Sequence, residues 1–328
     1  MFIKLSIVIV NYNSKKVLED CLNSITKSHF LFDYQVLIID NASTEKINDL
    51  EAKYNNFSFI LNNKNVGFAA ANNIGIRLAK GKYILLLNPD TIVNQESFEP
   101  MIEYLESHED VGVVGPKIFN AVGDIERSTH SFPSLLKEFF HANEFFKSFL
   151  GYNSKLIALL KNFIGAKSLE SYWEHNSRRE VDHVTGACMM VKREVIDKVG
   201  LLDEAFFLYN EEVEWSLRIK KSGYKSVFLP DSSIVHLFGH STQQKVQKQT
   251  VNNLLVERYR GMFYFFQKHY GQFRLLILRV IVFQGFIFRF VSKFIRVMFY
   301  PSGKKELSYL TQILKLTFNN NFDWRKNK

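Results

Sequence analysis

The sequence predicts an α/β fold: a Rossmann-like, mostly parallel sheet flanked by helices, followed by a C-terminal basic amphipathic helical extension. Three observations predict it. Apolar strand-like runs alternate with helical segments at intervals of about 20 to 30 residues, the pattern of βαβ units. Polar residues close three successive runs, at Asn11 to Asn13, Asp40-Asn41 and Asn88 to Asp90. The excess of positive charge sits in one terminal segment. Three polar strand ends exceed what three helix caps require, and the carboxyl edge of such a sheet is where ligands bind.

Residues 5–14, LSIVIVNYNS, read as a buried strand and a polar turn, with Asn13 or Ser14 placed to cap a helix over 15–28. Residues 34–44, YQVLIIDNAST, repeat the pattern, and Phe57 to Leu61 is a third short strand. In NNKNVGFAAANNIGIRLAKG (62–81), glycine and alanine open a helix that ends near Gly81. The GxGxxG and GxxxxGK[ST] spacings are absent, which argues against a Rossmann dinucleotide site and a P-loop. Small residues there let a helix lie close to a nucleotide and to the sheet. Tyr83 to Leu87 is apolar throughout, as a strand buried on both faces would be. Pro89 ends it and presents Asp90 at the carboxyl edge. A lone carboxylate there suits a hard divalent cation that keeps positions open for a diphosphate. The competing reading is a cap for a helix starting near Gln95.

Residues 111–119, VGVVGPKIF, form another strand. Residues 130–180 carry clustered aromatics and few strand signals, which reads as a helical insertion on the acceptor side or as helices covering core. In VDHVTGACMMVKREV (181–195), Gly186-Ala187 precedes a short buried strand, Cys188 to Val191. A loop to Asn210 then leads into a helix from about Glu211 to Ser222, with Glu211, Glu212 and Glu214 in its first turn. Charge–dipole placement stabilises each such acid by about 0.3–1 kcal/mol. Three acids flanked by Tyr209 and Trp215 exceed that need, and a carboxylate beside an aromatic wall suits a general base acting on an alcohol. YKSVFLPDSSIVHLFGHST finally reads as a strand, a turn, and then His236 and His240. His236, after an apolar pair and before a glycine turn, is the candidate metal ligand; a structural role is its alternative.

Hydrophobic content of 46% and charged content of 23% are ordinary for a globular chain. Two cysteines, Cys21 and Cys188, both in apolar contexts, exclude a disulfide framework and a CxxC metal site and fit a reducing compartment. The N-terminus opens on a strand without a cleavage pattern, so no signal peptide is expected. Of the net charge of +9, all resides in 270–328, where eleven Lys/Arg face only Glu306 and Asp323. Within 272–300, QFRLLILRVIVFQGFIFRFVSKFIRVMFY, a helix would place Arg274, Arg279, Arg289, Lys293 and Arg296 in an arc of about 140°. Leu275, Leu278, Val282 and Phe286 share that arc. The longest uncharged stretch, Val280 to Phe288, is too short to span a bilayer. An interfacial helix on an anionic cytosolic leaflet is expected, with helices packing on the domain or forming a homodimer as the alternative. Nucleic acid fits poorly, because the basic stretch is strongly apolar and lacks a recognition-fold signature.

The stretches VIVNYNS (8–14), IIDNAST (38–44), NVGFAAANNIGI (65–76), YILLLNPDT (83–91), VVGPKI (113–118), GACMMVKREV (186–195), LDEAFFLYNEEVEWSLR (202–218) and HLFGHS (236–241) occur in this order. Together they resemble the family 2 glycosyltransferases with the GT-A fold, most closely the rhamnosyltransferase-like branch. The resemblance covers roughly residues 5–245. It implies a catalytic domain over 1–245, with the 130–180 insertion, and a membrane-associating helical region over 246–328. It also implies inverting transfer of a sugar from a nucleoside diphosphate to a hydroxyl, assisted by Mg²⁺ or Mn²⁺. By that likeness Tyr12 and Asp40 contact the nucleotide base, and Asn41 and Asn72 lie close to the nucleotide. Asp90 matches the last acid of the metal-binding Asp-x-Asp, with Asn88 in the first place as is usual in the rhamnosyl branch. His236 matches the family histidine that lies near the metal and diphosphate. The Glu-Asp base motif reads Glu211-Glu212 here, making Glu212 the base by position and Glu211 its neighbour. Gly186, Ala187, Glu214 and Trp215 fall on the acceptor side, Glu214 either supporting its helix or binding acceptor.

The donor implied is dTDP-rhamnose, with UDP-hexoses or UDP-N-acetylhexosamines as the alternative. The acceptor implied is lipid-linked or a surface polysaccharide or lipopolysaccharide, reached from the cytoplasmic face of the inner membrane. A reading of another class, prompted by glutamate at the base position, is a non-catalytic nucleotide- or glycan-binding partner of a membrane assembly. A nucleotidyltransferase is discounted, because no Gly- and Lys/Arg-rich loop follows Val10.

Overall fold

The computed structural model describes residues 2–142, 175–237, 248–299 and 304–326. In chain order the elements begin β1 (Leu5–Asn11), α1 (Lys15–Lys27), β2 (Tyr34–Asp40), α2 (Asn48–Lys53), β3 (Ser58–Leu61), α3 (Phe68–Leu78), β4 (Tyr83–Leu87) and β5 (Thr91–Ile92). They continue α4 (Glu99–Ser107), β6 (Val111–Asn120), β7 (Ile125–Glu126), β8 (Thr129–His130), α5 (Leu135–Ala142), β9 (Arg179–Val181), β10 (His183–Val184) and β11 (Cys188–Lys192). The rest are α6 (Arg193–Val199), α7 (Glu211–Lys221), β12 (Lys225–His236), α8 (Lys248–His269), α9 (Gly271–Phe299) and α10 (Lys304–Leu316).

The chain forms two compact units. The first comprises Met1–Phe132, Ser171–Glu204 and Glu211–Gln244; the second comprises Pro133–Glu170, Ala205–Asn210 and Lys245–Lys328. Helix α5, which the sequence assigns to an insertion of the catalytic domain, thus groups with the C-terminal helices.

The first unit is built on a sheet of order β3-β2-β1-β4-β11-β6-β12-β5. Strands β3, β2, β1 and β4 are parallel, as expected from the βαβ spacing. Strand β11 is an antiparallel member of this mostly parallel sheet: it runs antiparallel between β4 and β6. Burial on both faces is literal. In β4, Tyr83, Leu85 and Leu87 join the hydrophobic cluster on one side of the sheet, and Ile84 and Leu86 join the cluster on the other. Strands β1 and β11 alternate the same way. Each such aliphatic side chain contributes about 1.5–3 kcal/mol on burial, so the strand order is held from both sides.

Several local expectations change. Ser14 stands at the N-cap of α1, yet its hydroxyl donates to Asn11 Oδ1 at 2.7 Å rather than capping. The helix expected near Gln95 starts at Glu99, so Asp90 caps nothing. The turn expected ahead of His236 is a register shift between Leu229 and Ser233 inside the single long strand β12.

In the second unit, α8 packs on α9 and α10, and α5 packs on α9. Its interior is aromatic: Phe263 lies against Phe322 with ring centroids 5.3 Å apart, and Tyr259 meets Phe286 edge-on at 5.0 Å. That accounts for part of the phenylalanine content of the C-terminal region. Residues 143–174, most of the predicted insertion, lie outside the described residues.

Candidate active site

The order β3-β2-β1-β4 changes direction at β1, and such a switch opens a crevice at the carboxyl ends of the strands. Three sets of side chains meet that edge.

The first set closes β1 and β2. Asp40 accepts from Asn11 Nδ2 at 2.7 Å, from Ser43 Oγ at 2.6 Å and from the Ser43 amide at 3.1 Å. Asn13, with a left-handed φ of 54°, accepts from the Thr44 amide at 2.7 Å and donates its own amide to Ser43 Oγ at 2.9 Å. The two turns are therefore tied into one rigid cradle. Tyr12 stands at its rim, 51% exposed. Asn41 and Asn72 are buried and employed internally. Asn41 accepts from Asn62 Nδ2 and the Val66 amide and donates to Asn65 Oδ1, holding the 62–67 loop. Asn72 donates to the Phe68 carbonyl at 3.0 Å.

The second set lies beyond β4. The end of β12 pairs with β5, His236 opposite Thr91, and the Leu237 amide donates to the Asp90 carbonyl at 2.7 Å. His236 Nε2 thereby sits 3.2 Å from Asp90 Oδ1 and 3.5 Å from Asn88 Nδ2. Its Nδ1 is 3.0 Å from Glu126 Oε2. Burial opposes a charge on this imidazole, but the carboxylates of Asp90 and Glu126 outweigh it and raise its pKa to about 9. Asp90 and His236 could hold a divalent cation. No third His, Cys, Asp or Glu completes a cage among the described residues. Further positions would fall to ligand oxygens and water, the way Mg²⁺ is held beside phosphates.

Glu126 was not singled out from the sequence. The only local signal is the Asn120–Gly123 turn, which folds β7 back on the end of β6.

The third set joins the other two. Because β11 runs antiparallel to β4, the residues just before it sit beside the residues just after β4, and the Asn88 amide donates to the Ala187 carbonyl at 2.9 Å. A Cβ on Gly186 would lie 3.8 Å from Cβ and Cγ of Glu212 and 4.0 Å from the Phe68 ring. Gly186 thus lies against the stem of the Glu212 side chain. Glu211 is buried and Glu212 half-buried, and Oε2 of each lacks a hydrogen-bond partner among the described residues. Burial, then the neighbouring Glu212 charge, raises the Glu211 pKa well above the carboxylate range. Burial likewise raises that of Glu212. Two adjacent acids in such surroundings do not both ionise easily. Tyr209 and Asn210, immediately before them, have φ of 69° and 72°, a conformation that costs a non-glycine residue about 1–3 kcal/mol.

Of the remaining acceptor-side residues, Trp215 is corrected and Glu214 follows the first of its two readings. Trp215 is wholly buried and donates its indole N–H to the Gly200 carbonyl at 2.8 Å, so it is core and not an aromatic wall. Glu214 is also wholly buried and holds Arg218 Nε at 2.9 and 3.0 Å; the Arg218 guanidinium reaches the Val199 and Leu201 carbonyls. It supports its helix. Burial pushes the Cys21 thiol up to about 12 and raises Cys188 too, so neither supplies a thiolate nucleophile. His240 lies outside the described residues.

A family model described as Glycosyl transferase family 2 matches residues 6–200. The chain is 28% identical over 222 residues to the low-salt glycan biosynthesis hexosyltransferase Agl10 of Haloferax volcanii, spanning 66% of this chain and 62% of that protein. It is 25% identical over 263 residues to the N-acetylglucosaminyl-diphospho-decaprenol L-rhamnosyltransferase of Mycobacterium tuberculosis, spanning 73% of this chain and 77% of that one. In fold it is similar to the mannosyltransferase PcManGT of Pyrobaculum calidifontis, solved with GDP-Man and Mn²⁺. The TM-score is 0.53 at 13% identity, over 98% of this chain and 87% of that chain.

Proposed function

This chain belongs to glycosyl transferase family 2, and from that premise we propose that it transfers a sugar from a nucleoside diphosphate to an acceptor hydroxyl with inversion. The observation that carries the reading is the linkage of Asp90, Asn88 and His236 to Gly186, Ala187 and Glu212 at one strand edge, beside the Asn11–Asp40–Ser43 cradle. The cradle and Tyr12 receive the nucleotide base. Asp90 and His236 would hold Mg²⁺ or Mn²⁺, which would neutralise charge on the diphosphate leaving group. Glu212, in its ionised form, takes the proton of the acceptor hydroxyl beside Gly186. Glu211 stays protonated beside it and keeps that carboxylate from sharing its pocket with a second charge.

The donor is dTDP-rhamnose, because Asn88-Pro89-Asp90 follows the rhamnosyl pattern and one relative is a rhamnosyltransferase. The acceptor is lipid-linked or a surface polysaccharide. Thermal-shift measurement with dTDP, UDP and GDP species, with and without Mn²⁺, tests the donor. A nucleotide at a hundred times its Kd adds about 2.7 kcal/mol. Metal-dependent stabilisation by dTDP above UDP is expected; preference for UDP overturns the donor, and no response to any nucleotide overturns the activity.

Glu126 has a checkable part in this scheme. A carboxylate on the far nitrogen of a metal-ligating histidine fixes its tautomer, and its loss typically weakens metal affinity about 10–100-fold. Glu126→Gln is therefore expected to weaken Mn²⁺ binding by that factor in calorimetry and to alter the ¹⁵N resonances of the His236 ring. An unchanged Mn²⁺ affinity would remove Glu126 from the site.

A further inference from the structure

Helix α9 has two dissimilar faces. On one, Leu275, Leu278, Val282 and Phe286 are buried, and a Cβ on Gly285 would lie 2.5 Å from the Ala142 carbonyl oxygen of α5. Arg279 donates to the Asn319 carbonyl at 2.6 Å and Arg289 to the Ala142 carbonyl at 3.0 Å. The arc that holds the cations is therefore largely the arc that packs inward. On the other face Phe273, Leu276, Val280, Phe288, Val291 and Phe294 are 46–75% exposed. At 100° per residue they fall within about 120°, and at 1.5 Å per residue they extend about 32 Å. Gln284 is the one polar residue in that arc. Phe283 and Phe318 continue the surface, meeting edge-on with ring centroids 5.6 Å apart. Soluble chains rarely leave a continuous apolar surface of this kind uncovered.

We propose that this face of α9 docks on an anionic lipid bilayer, the helix lying in the plane of the interface with its aromatic and valine side chains among the upper acyl chains. Charge selects this occupant over a second copy. Residues 270–328 carry a net +9, and α9 itself contains no Asp or Glu, so a second α9 would bring like charge against like charge. Anionic headgroups would attract the same segment. Exposed Arg274, on the flank of that face, reaches headgroups while its stem covers apolar surface. No helix among the described residues is long and apolar enough to cross a membrane, and a large apolar face on a basic helix suits lying on one. The inference is independent of which sugar is transferred.

The test is co-sedimentation of the full chain with vesicles of phosphatidylcholine alone or mixed with phosphatidylglycerol. Binding to the mixed vesicles at least about tenfold above the neutral ones is expected, and Val280→Glu with Val291→Glu should abolish it. Phe288→Trp, a mild change at an exposed site, should shift its emission to the blue on binding and be quenched by brominated acyl chains. Absence of binding, equal binding to neutral vesicles, or binding indifferent to the two glutamates would overturn the proposal. So would a dimer in light scattering that those glutamates split, which would make the second copy the occupant.

Discussion

Glu212→Gln is expected to lower kcat by about 10²–10⁴-fold, the range a positioned general base supplies, with nucleotide stabilisation unchanged. The amide keeps the volume beside Gly186 and cannot take a proton. In the parent enzyme, the acid limb of the pH–rate profile should lie above the ordinary glutamate value of about 4.3, because burial raises the Glu212 pKa. Glu211→Gln is the control. The folded state holds the Glu211 proton more tightly than the unfolded chain, so the stabilisation that proton provides is complete in acid. It is lost as pH rises from the ordinary carboxylate value through the raised one. Glu211→Gln should therefore raise Tm at neutral pH, leave it unchanged in acid, and reduce transfer far less than Glu212→Gln. If Glu211→Gln is the variant that loses transfer, the base is Glu211.

Asp90→Ala is expected to abolish transfer and, separately, the Mn²⁺-dependent part of nucleotide stabilisation. If nucleotide affinity in the presence of metal falls about 100-fold, a ligand held at a hundred times the parent Kd stabilises by about 0.4 instead of about 2.7 kcal/mol. Removing Asp90 also takes one of two carboxylates from His236. Retention of full metal-dependent stabilisation in Asp90→Ala would place the cation elsewhere and detach His236 from it.

Much of this site was legible because its signals are local. An apolar run that stops at Asp40, or at Asn88-Pro89-Asp90, marks a strand end from a handful of neighbours, and parallel strands carry their ends to a common edge. Helix α9 was legible as a single helix for the same reason.

What the sequence left open depends on partners distant in the chain. Cys188 to Val191 reads as a strand in isolation, but its reversed direction, which lays Ala187 against Asn88, follows from its neighbours β4 and β6. Trp215 beside three acids reads as an aromatic wall, and only the Gly200 carbonyl and the cluster around it make it core. Glu126 joins His236 through a hairpin whose register no side chain in it announces. On α9 the period of 3.6 separates two arcs, both rich in apolar residues; α5 and α10 cover one, and the other is left facing outward. The sequence by itself determined where the strands end and which side chains stand there. The tertiary structure decided which of them meet and which faces are covered, because pairing and burial join residues that local patterning cannot connect.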